Sequence, residues 1–463
     1  MDDMPISPIK KKLLIIGFAL TFLYALQLSI PLYSFSRFLS LHFNSKEVTY
    51  IYIITAILSI YIINTYNKLL SKYHNYATAS TIIIVNIISL LALAFVVNIY
   101  AIAFYAILYM SLNLLLAISI NLYIQEFSEH HDVGMLRGIN LVLSASAFIL
   151  GLYISKFLLV SEINVPYIQN PYALLYISTT VLLFPMLYII NHYYKHIDEP
   201  IYKGGHMWKV LLKLHMNKDL YGVFIANLSL QVFISIMIIY FINYLIDYGH
   251  VLLPDYVGII MPLALLPFVL LPYAIGKLSD RKYGEKEFMI WGLIIMTVSL
   301  FIIPAVANYA NILMQELSSY INNIKSDSIS VYKDNINIIT KDNILKDLIS
   351  TPGSQPLLEN MQDAIYRKIL FAWGAVLVLG RIGSSILEES SNSYFYKKIS
   401  NRDSDIISLF NNTSSLGMLI GGLIAICAFY INIYMGINYA IFILTGLFCL
   451  YAIYYISKIK DTL

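Results

Sequence analysis

Two long apolar runs, Val257 to Ile275 and Phe288 to Val306, flank a dense polar turn from Gly276 to Lys286. Each run is long enough to cross a hydrocarbon core of about 30 Å as a helix, so the turn reads as the loop between two spanning helices. A segment in lipid must satisfy its own backbone hydrogen bonds, and apolar runs of this length without strict alternation do so as helices rather than barrel strands.

The same pattern recurs along the chain. With 59% hydrophobic and 12% charged residues and a mean hydropathy of +0.71, the chain is too apolar for a soluble globule of its length. About twelve spans are expected: 13–32, 50–66, 77–98, 100–125, 138–160, 172–192, 219–246, 256–275, 288–308, 371–396, 406–431 and 437–457. The first follows Lys10, Lys11 and Lys12 but is longer than a signal-peptide core and lacks a small-residue cleavage site, so it reads as a retained helix. Heavy use of Ile, Tyr, Asn and Lys is assigned to the base composition of the gene and given no functional weight.

Sorting Lys and Arg onto the alternating sides puts most of them on the side of the two termini. The short loops opposite hold only Arg37 and Lys46. By the positive-inside rule both termini are expected in the cytoplasm, and the membrane is expected to be the plasma membrane. The stretch from His192 to Asp219 divides six helices from six. The expected organisation is a six-helix bundle over 1–192, a linker over 193–218 and a second bundle over 219–463 that carries an external insert at about 308–367. Around Trp208, Lys209 and Lys213 the linker reads either as an amphipathic surface helix or as a solvated connection. The insert reads either as a helical external cap or as a loop without mechanistic role.

Internal similarity supports a duplication. Asn67 to Lys72 superimposes on Gly276 to Arg281, each after the second helix of a half, and more weakly Asp132 matches Asp405. The second offset is the larger, and the insert accounts for the excess.

Within the turn, Gly276, Leu278, Asp280, Arg281, Gly284 and Lys286 fall on a G-x-L-x-D-R-x-G-x-K pattern. This resembles the signature of the major facilitator superfamily between the second and third helices of each half, and with the duplication the resemblance covers essentially the whole chain. It implies an all-α fold of twelve transmembrane helices in two six-helix pseudo-repeats, a secondary transporter working by alternating access, and a cytoplasmic gate at this loop. The alternative is a plain topology loop. In the first-half copy Ser71 stands for the Asp and Asn75 for the second Gly. The Arg of the family's antiporter motif in the fourth helix and the Gly-Pro pair of the fifth are absent, which argues against a typical drug:proton antiporter.

Charges inside spans are costly, about 2.5–3.5 kcal/mol each on the insertion scale, and so point to function. Arg381, Ser385, Glu388 and Asn392 recur at helical spacing on one face of the tenth span, flanked by Glu389. The resemblance places the first, fourth, seventh and tenth helices around the cavity. Gln27, Asn113, Asn227 and Gln231 are then candidate partners, with Tyr24 and Ser235 beside them. Arg381 is the candidate for an anionic substrate group and Glu388 or Glu389 for a coupling proton. The rival reading is structural, with Arg381 and Glu388 neutralising each other. Lys156 reads as snorkelling to the interface.

Glu129, His130 and His131 lack a further ligand run, so no metal is assigned. No phosphate-binding glycine loop and no nucleophile–base set appears, so neither a cofactor nor enzymatic activity is expected. The expected partners are the bilayer, an unidentified small solute and a coupling proton, with no nucleic acid, and the chain is expected to be monomeric. The alternative function is a non-transporting receptor or assembly partner that uses the insert.

Overall fold

In a computed structural model the protein is described over residues 8–127, 133–160, 172–195, 217–279, 284–329, 355–398, 410 and 412–460. Among the described residues eleven helices are long and apolar enough to cross a membrane, and one shorter apolar helix follows them. We number them α1 (Pro8–Ser40), α2 (Ser45–Tyr66), α3 (Lys72–Phe95), α4 (Ile99–Phe127), α5 (Val133–Val160), α6 (Ala173–Tyr194), α7 (Lys218–Asp247), α8 (Leu253–Leu278), α9 (Gly284–Ile329), α10 (Gln355–Lys398), α11 (Thr413–Met435) and α12 (Ala440–Ile456). Among the described residues there is no strand. The chain is therefore a multi-pass, all-helical integral membrane protein. Odd-numbered helices run away from the face that bears the termini, here the terminal face, toward the opposite or far face.

Two large hydrophobic cores organise the helices, beside a small cluster of Ala25, Leu26 and Ala147. One is drawn from Leu14 to Tyr194 with Ile239; the other runs from Leu220 to Ile459 and takes in Tyr33, Ala145 and Leu152 from the first half. Those few shared side chains lie on α1, α5 and α7, where the halves meet. Helix approach is closest at small residues. A Cβ on Gly417 of α11 would lie 2.5 Å from the Gln231 Cβ of α7, and one on Gly422 would lie 2.5 Å from Ile53 of α2, across the halves.

α2 and α3 join at a sharp turn in which His74 takes φ 61, ψ 159. At the related turn of the second half it is Gly284 that has positive φ, +68. The sequence alignment pairs Gly284 with Asn75, so the turn conformation sits one residue earlier in the first half. Asn75 is buried instead and ties the turn to α4: its Nδ2 donates to the Ser119 carbonyl at 3.0 Å, and its Oδ1 accepts from Tyr66 at 3.3 Å.

α9 and α10 have 46 and 44 residues, about 69 and 66 Å at 1.5 Å per residue, more than twice a hydrocarbon core of about 30 Å. Much of the expected insert is thus helical continuation of two spans. Ile303, Ala307, Ala310, Met314 and Leu317 recur in steps of four and three and pack with Met361, Ile365, Ile369 and Trp373, the spacing of an antiparallel coiled pair. Residues 330–354 of the insert, the linker residues Trp208, Lys209 and Lys213, the loop cluster Glu129, His130 and His131, and Asp132 and Asp405 of the weaker repeat lie outside the described residues.

Candidate functional site

A central cavity of about 460 Å³ lies between the halves, within the range of small-molecule sites. Its walls come from α1, α2, α4 and α5 on one side and α7, α8, α10 and α11 on the other. Of the residues singled out from sequence, Arg381, Glu388, Asn113 and Gln231 line it, together with Tyr24 and Ser235.

Arg381 is 4% exposed. Its Nη2 makes one long contact, 3.5 Å to the Tyr33 hydroxyl of the other half, and its Nε has no hydrogen-bond partner among the described residues. No ion pair joins it to Glu388, which sits two turns nearer the terminal face. The two side chains therefore do not pair directly. A buried guanidinium with unused donors costs several kcal/mol unless something anionic or strongly polar meets it.

The other predicted residues take different places. Gln27 is fully buried behind the wall, its Nε2 donating to Asn113 Oδ1 at 3.0 Å. Asn113 in turn donates to the Tyr109 carbonyl at 3.1 Å, and its own carbonyl accepts from Tyr24 at 3.0 Å. This knot presents Asn113 to the cavity at a fixed angle. Asn227 binds Thr413 at 3.1 Å and fastens α7 to α11. Ser385 donates to the Pro267 carbonyl at 3.2 Å and fastens α10 to α8. Asn392 is half-buried and outside the lining. Glu389 also lies outside the lining: its Oε1 would be 3.3 Å from a Cβ on Gly276, at the terminal-face turn. Of the predicted stripe only Arg381 and Glu388 meet the cavity. The α10 face is wider than the cavity, and α8 covers its edge.

At the terminal-face turn Gly276 lies in the last turn of α8, with Ser279 Oγ donating to its carbonyl at 3.0 Å, and Leu278 is exposed. Lys286 Nζ donates to the Ile459 carbonyl at 2.9 Å, so it caps the end of α12. Next to it Glu285, which sequence reading passed over, is fully buried and accepts from Lys397 and from Ser393 of α10. Asp280 and Arg281 lie outside the described residues.

At the far face the halves are joined by polar contacts. Arg37 pairs with Asp247 at 3.3 Å, and Asn243 donates to Ser36 and Ser40 at 3.0 Å each. Ser36 donates to the Ile239 carbonyl. Burial pushes the nearby Tyr172 phenol up, and the Arg37 guanidinium works against that shift. Lys156 does not snorkel freely, as its sequence position suggested. It pairs with Asp255 at 3.7 Å across the halves, with its stem over Gly258, where a Cβ would lie 1.9 Å from it. Tyr366, at the root of the α9–α10 hairpin, donates to the same Asp255 at 2.8 Å.

Sequence reasoning missed these far-face pairs and the aromatic walls of the cavity, Tyr33, Phe35, Tyr109, Phe148 and Phe268 among them. Tyr was discounted as composition. The signal available was Arg37 and Lys156 near the ends of otherwise apolar spans.

Twelve apolar helices among the described residues, packed mainly in two cores around a shared cavity, define a polytopic membrane protein with the fold of the major facilitator superfamily. The structure is similar to that of the nucleoside transporter NupG, with a TM-score of 0.60 and 15% identity over 98% of this chain and 100% of that one. A variant of NupG gives 0.64 and 13% over 96% and 99%. A bacterial homologue of the human lysosomal transporter Spinster, in an inward-facing and unoccupied conformation, gives 0.62 and 9% over 97% and 96%. No family model and no curated protein matches the sequence.

Proposed function

We propose that the chain is a secondary transporter that moves a small solute by alternating access, with the cavity between its halves as the substrate site. The observation that carries this reading is Arg381, a buried cation with unused donors, facing a cavity built from both halves. Rocking 1–192 against 219–463 would expose that cavity to either side in turn. In the conformation described here the far-face pairs hold the halves together, so solute enters and leaves through the terminal face. That face is cytoplasmic by the positive-inside rule, in a plasma membrane, and the protein works as a monomer without nucleic acid.

Within this reading Asn113, Gln231 and Ser235 orient the solute, and Gln27 positions Asn113. Glu388 carries the coupling proton, since of the neighbouring carboxylates Glu388 and Glu389 it alone lines the cavity. Glu389 belongs with Gly276, Leu278, Asp280, Arg281, Gly284 and Lys286 in the terminal-face gate. Reconstituted protein should show solute counterflow that dissipates or requires a pH gradient and that Glu388→Gln uncouples. Absence of flux across a broad solute panel would sink transport.

Two observations favour second readings. NupG is a nucleoside transporter, and a neutral nucleoside would use the cavity amides rather than the charge of Arg381. The projecting α9–α10 hairpin suits a receptor or assembly role. Removing 311–359 separates that role from transport, because a receptor loses partner binding while a transporter keeps flux.

A further inference from the structure

We infer that the cavity selects a small organic monoanion with a flat aromatic or apolar body, its carboxylate or other single anionic group seated on Arg381. The assignment rests on the transport reading of the same cavity and deepens it. Three features of the walls converge on this class.

The first is an unmet charge. Arg381 is 4% exposed, its Nε has no hydrogen-bond partner among the described residues, and its one polar side-chain contact is the long one to Tyr33. A planar guanidinium presents paired donors that match the two oxygens of a carboxylate. An uncharged solute without acceptor atoms would leave those donors unmet in a buried site.

The second is the body of the cavity. Rings of Tyr24, Phe35, Tyr109, Phe148 and Phe268 share its walls with aliphatic side chains, and the polar groups beyond Arg381 and Glu388 are Asn113, Gln231, three serines and the phenols of Tyr24, Tyr33, Tyr52 and Tyr109, of which those of Tyr24 and Tyr33 already have partners. The rings and aliphatic side chains between these groups reward a solute with a flat apolar body.

The third is the single sign. Glu388 lies two turns from Arg381 on the same helix, a backbone rise of about 10 Å at 1.5 Å per residue, and shares the lining. A solute long enough to span that distance meets a carboxylate at its far end. A second negative charge there is repelled whenever Glu388 is ionised, and an uncharged end is accepted whether or not Glu388 holds a proton.

Thermal stability of the detergent-purified full chain provides the binding test, with cinnamate, its neutral isostere cinnamamide, the dianion terephthalate, zwitterionic phenylalanine and neutral uridine as probes. Cinnamate should raise the melting temperature in a saturable way, with at least about tenfold tighter apparent binding than cinnamamide, the discrimination expected for a lost charged hydrogen bond. Terephthalate, phenylalanine and uridine should bind no better than cinnamamide. Arg381→Gln should erase the preference for cinnamate over cinnamamide, and Arg381→Lys should keep part of it. The probe comparison uses wild-type protein, so a misfolded variant does not decide the result. Equal stabilisation by cinnamamide, stronger binding of any of the other three probes, or no anion-dependent shift at all overturns the monoanion site. Counterflow of labelled cinnamate and uridine in proteoliposomes separates the two readings. Cinnamate binding without flux of either removes transport and leaves the site, whereas Arg381-independent uridine flux removes the site and leaves transport.

Discussion

At the scale of single residues, the closest packing is set by glycines whose neighbours have no room to move. Gly417 faces the Gln231 backbone at 2.7 Å and its Cβ at 2.5 Å from a built Cβ position, whereas Gly374 of α10 has nothing within 4 Å. Gly417→Ala should therefore strain the α7–α11 contact by about 1–3 kcal/mol and lower the melting temperature. Gly374→Ala should leave it unchanged or raise it by an amount worth about 0.5–1 kcal/mol. Asn75 makes a comparable point for polar groups. Asn75→Ala strips the Ser119 carbonyl and the Tyr66 hydroxyl of a partner. A loss of about 0.6–1.7 kcal/mol, the range for interhelical hydrogen bonds in membranes, is expected in thermal unfolding. Residues such as these were half-visible in the sequence. The small residues of α11 read as a packing face, but only their partners show which substitution is costly. Asn75 was visible as a departure from a glycine pattern, and its burial against α4 was not.

At the scale of helices, α5 and α8 meet across the halves through Lys156 and Asp255, and the α9–α10 hairpin reaches the same carboxylate through Tyr366. Both partners of the ion pair are part-exposed, so its net stability is small, about 0–1 kcal/mol. Its leverage lies in joining the halves in one conformation. Lys156→Glu places like charges face to face and should open the far face. An impermeant thiol reagent applied from that side should then alkylate a cysteine introduced at Ile238, which lines the cavity, severalfold faster. Adding Asp255→Lys should restore the slow rate. An unchanged alkylation rate in the single variant would show that this pair does not hold the far face. The hairpin also fixes the connector between α7 and α8. Trp373 Nε1 donates to the Gly249 carbonyl at 3.1 Å, and the Leu252 amide donates to the Tyr366 hydroxyl at 3.1 Å. The expected insert is thus rooted in the transmembrane bundle rather than hung from it. Hydrophobic spacing marked the spans to within several residues, but it under-read α9 and α10. Beyond the bilayer their buried stripe is narrow and their polar faces resemble loop composition.

For the whole molecule, alternating access requires that the far-face contacts break while the cavity passes to the other side. Cysteines replacing Arg37 and Asp247, joined by a short bifunctional reagent, should hold the far face shut. Counterflow should fall to background while ligand-dependent thermal stabilisation through the terminal face persists. Full flux in the linked protein would mean the halves do not separate there.

The amino-acid sequence by itself determined the class of the molecule, because apolar runs of this length span lipid as helices and because a loop with a specific pattern in the second half has a weaker copy in the first. It also placed Arg381 and Glu388, since an ionisable group inside an apolar span stands out against its surroundings. Tertiary structure alone decided which of the polar residues on the helix faces meet the cavity and which fasten helices together. A helical face is known only to within about a quarter turn from spacing, and Ser385, Asn227, Glu389 and Gln27 fall on the side where a neighbouring helix, not the cavity, supplies the partner. The far-face pairs were beyond reach for the same reason: Arg37 with Asp247 and Lys156 with Asp255 join distant parts of the chain, and no periodicity along one helix encodes which helix stands opposite.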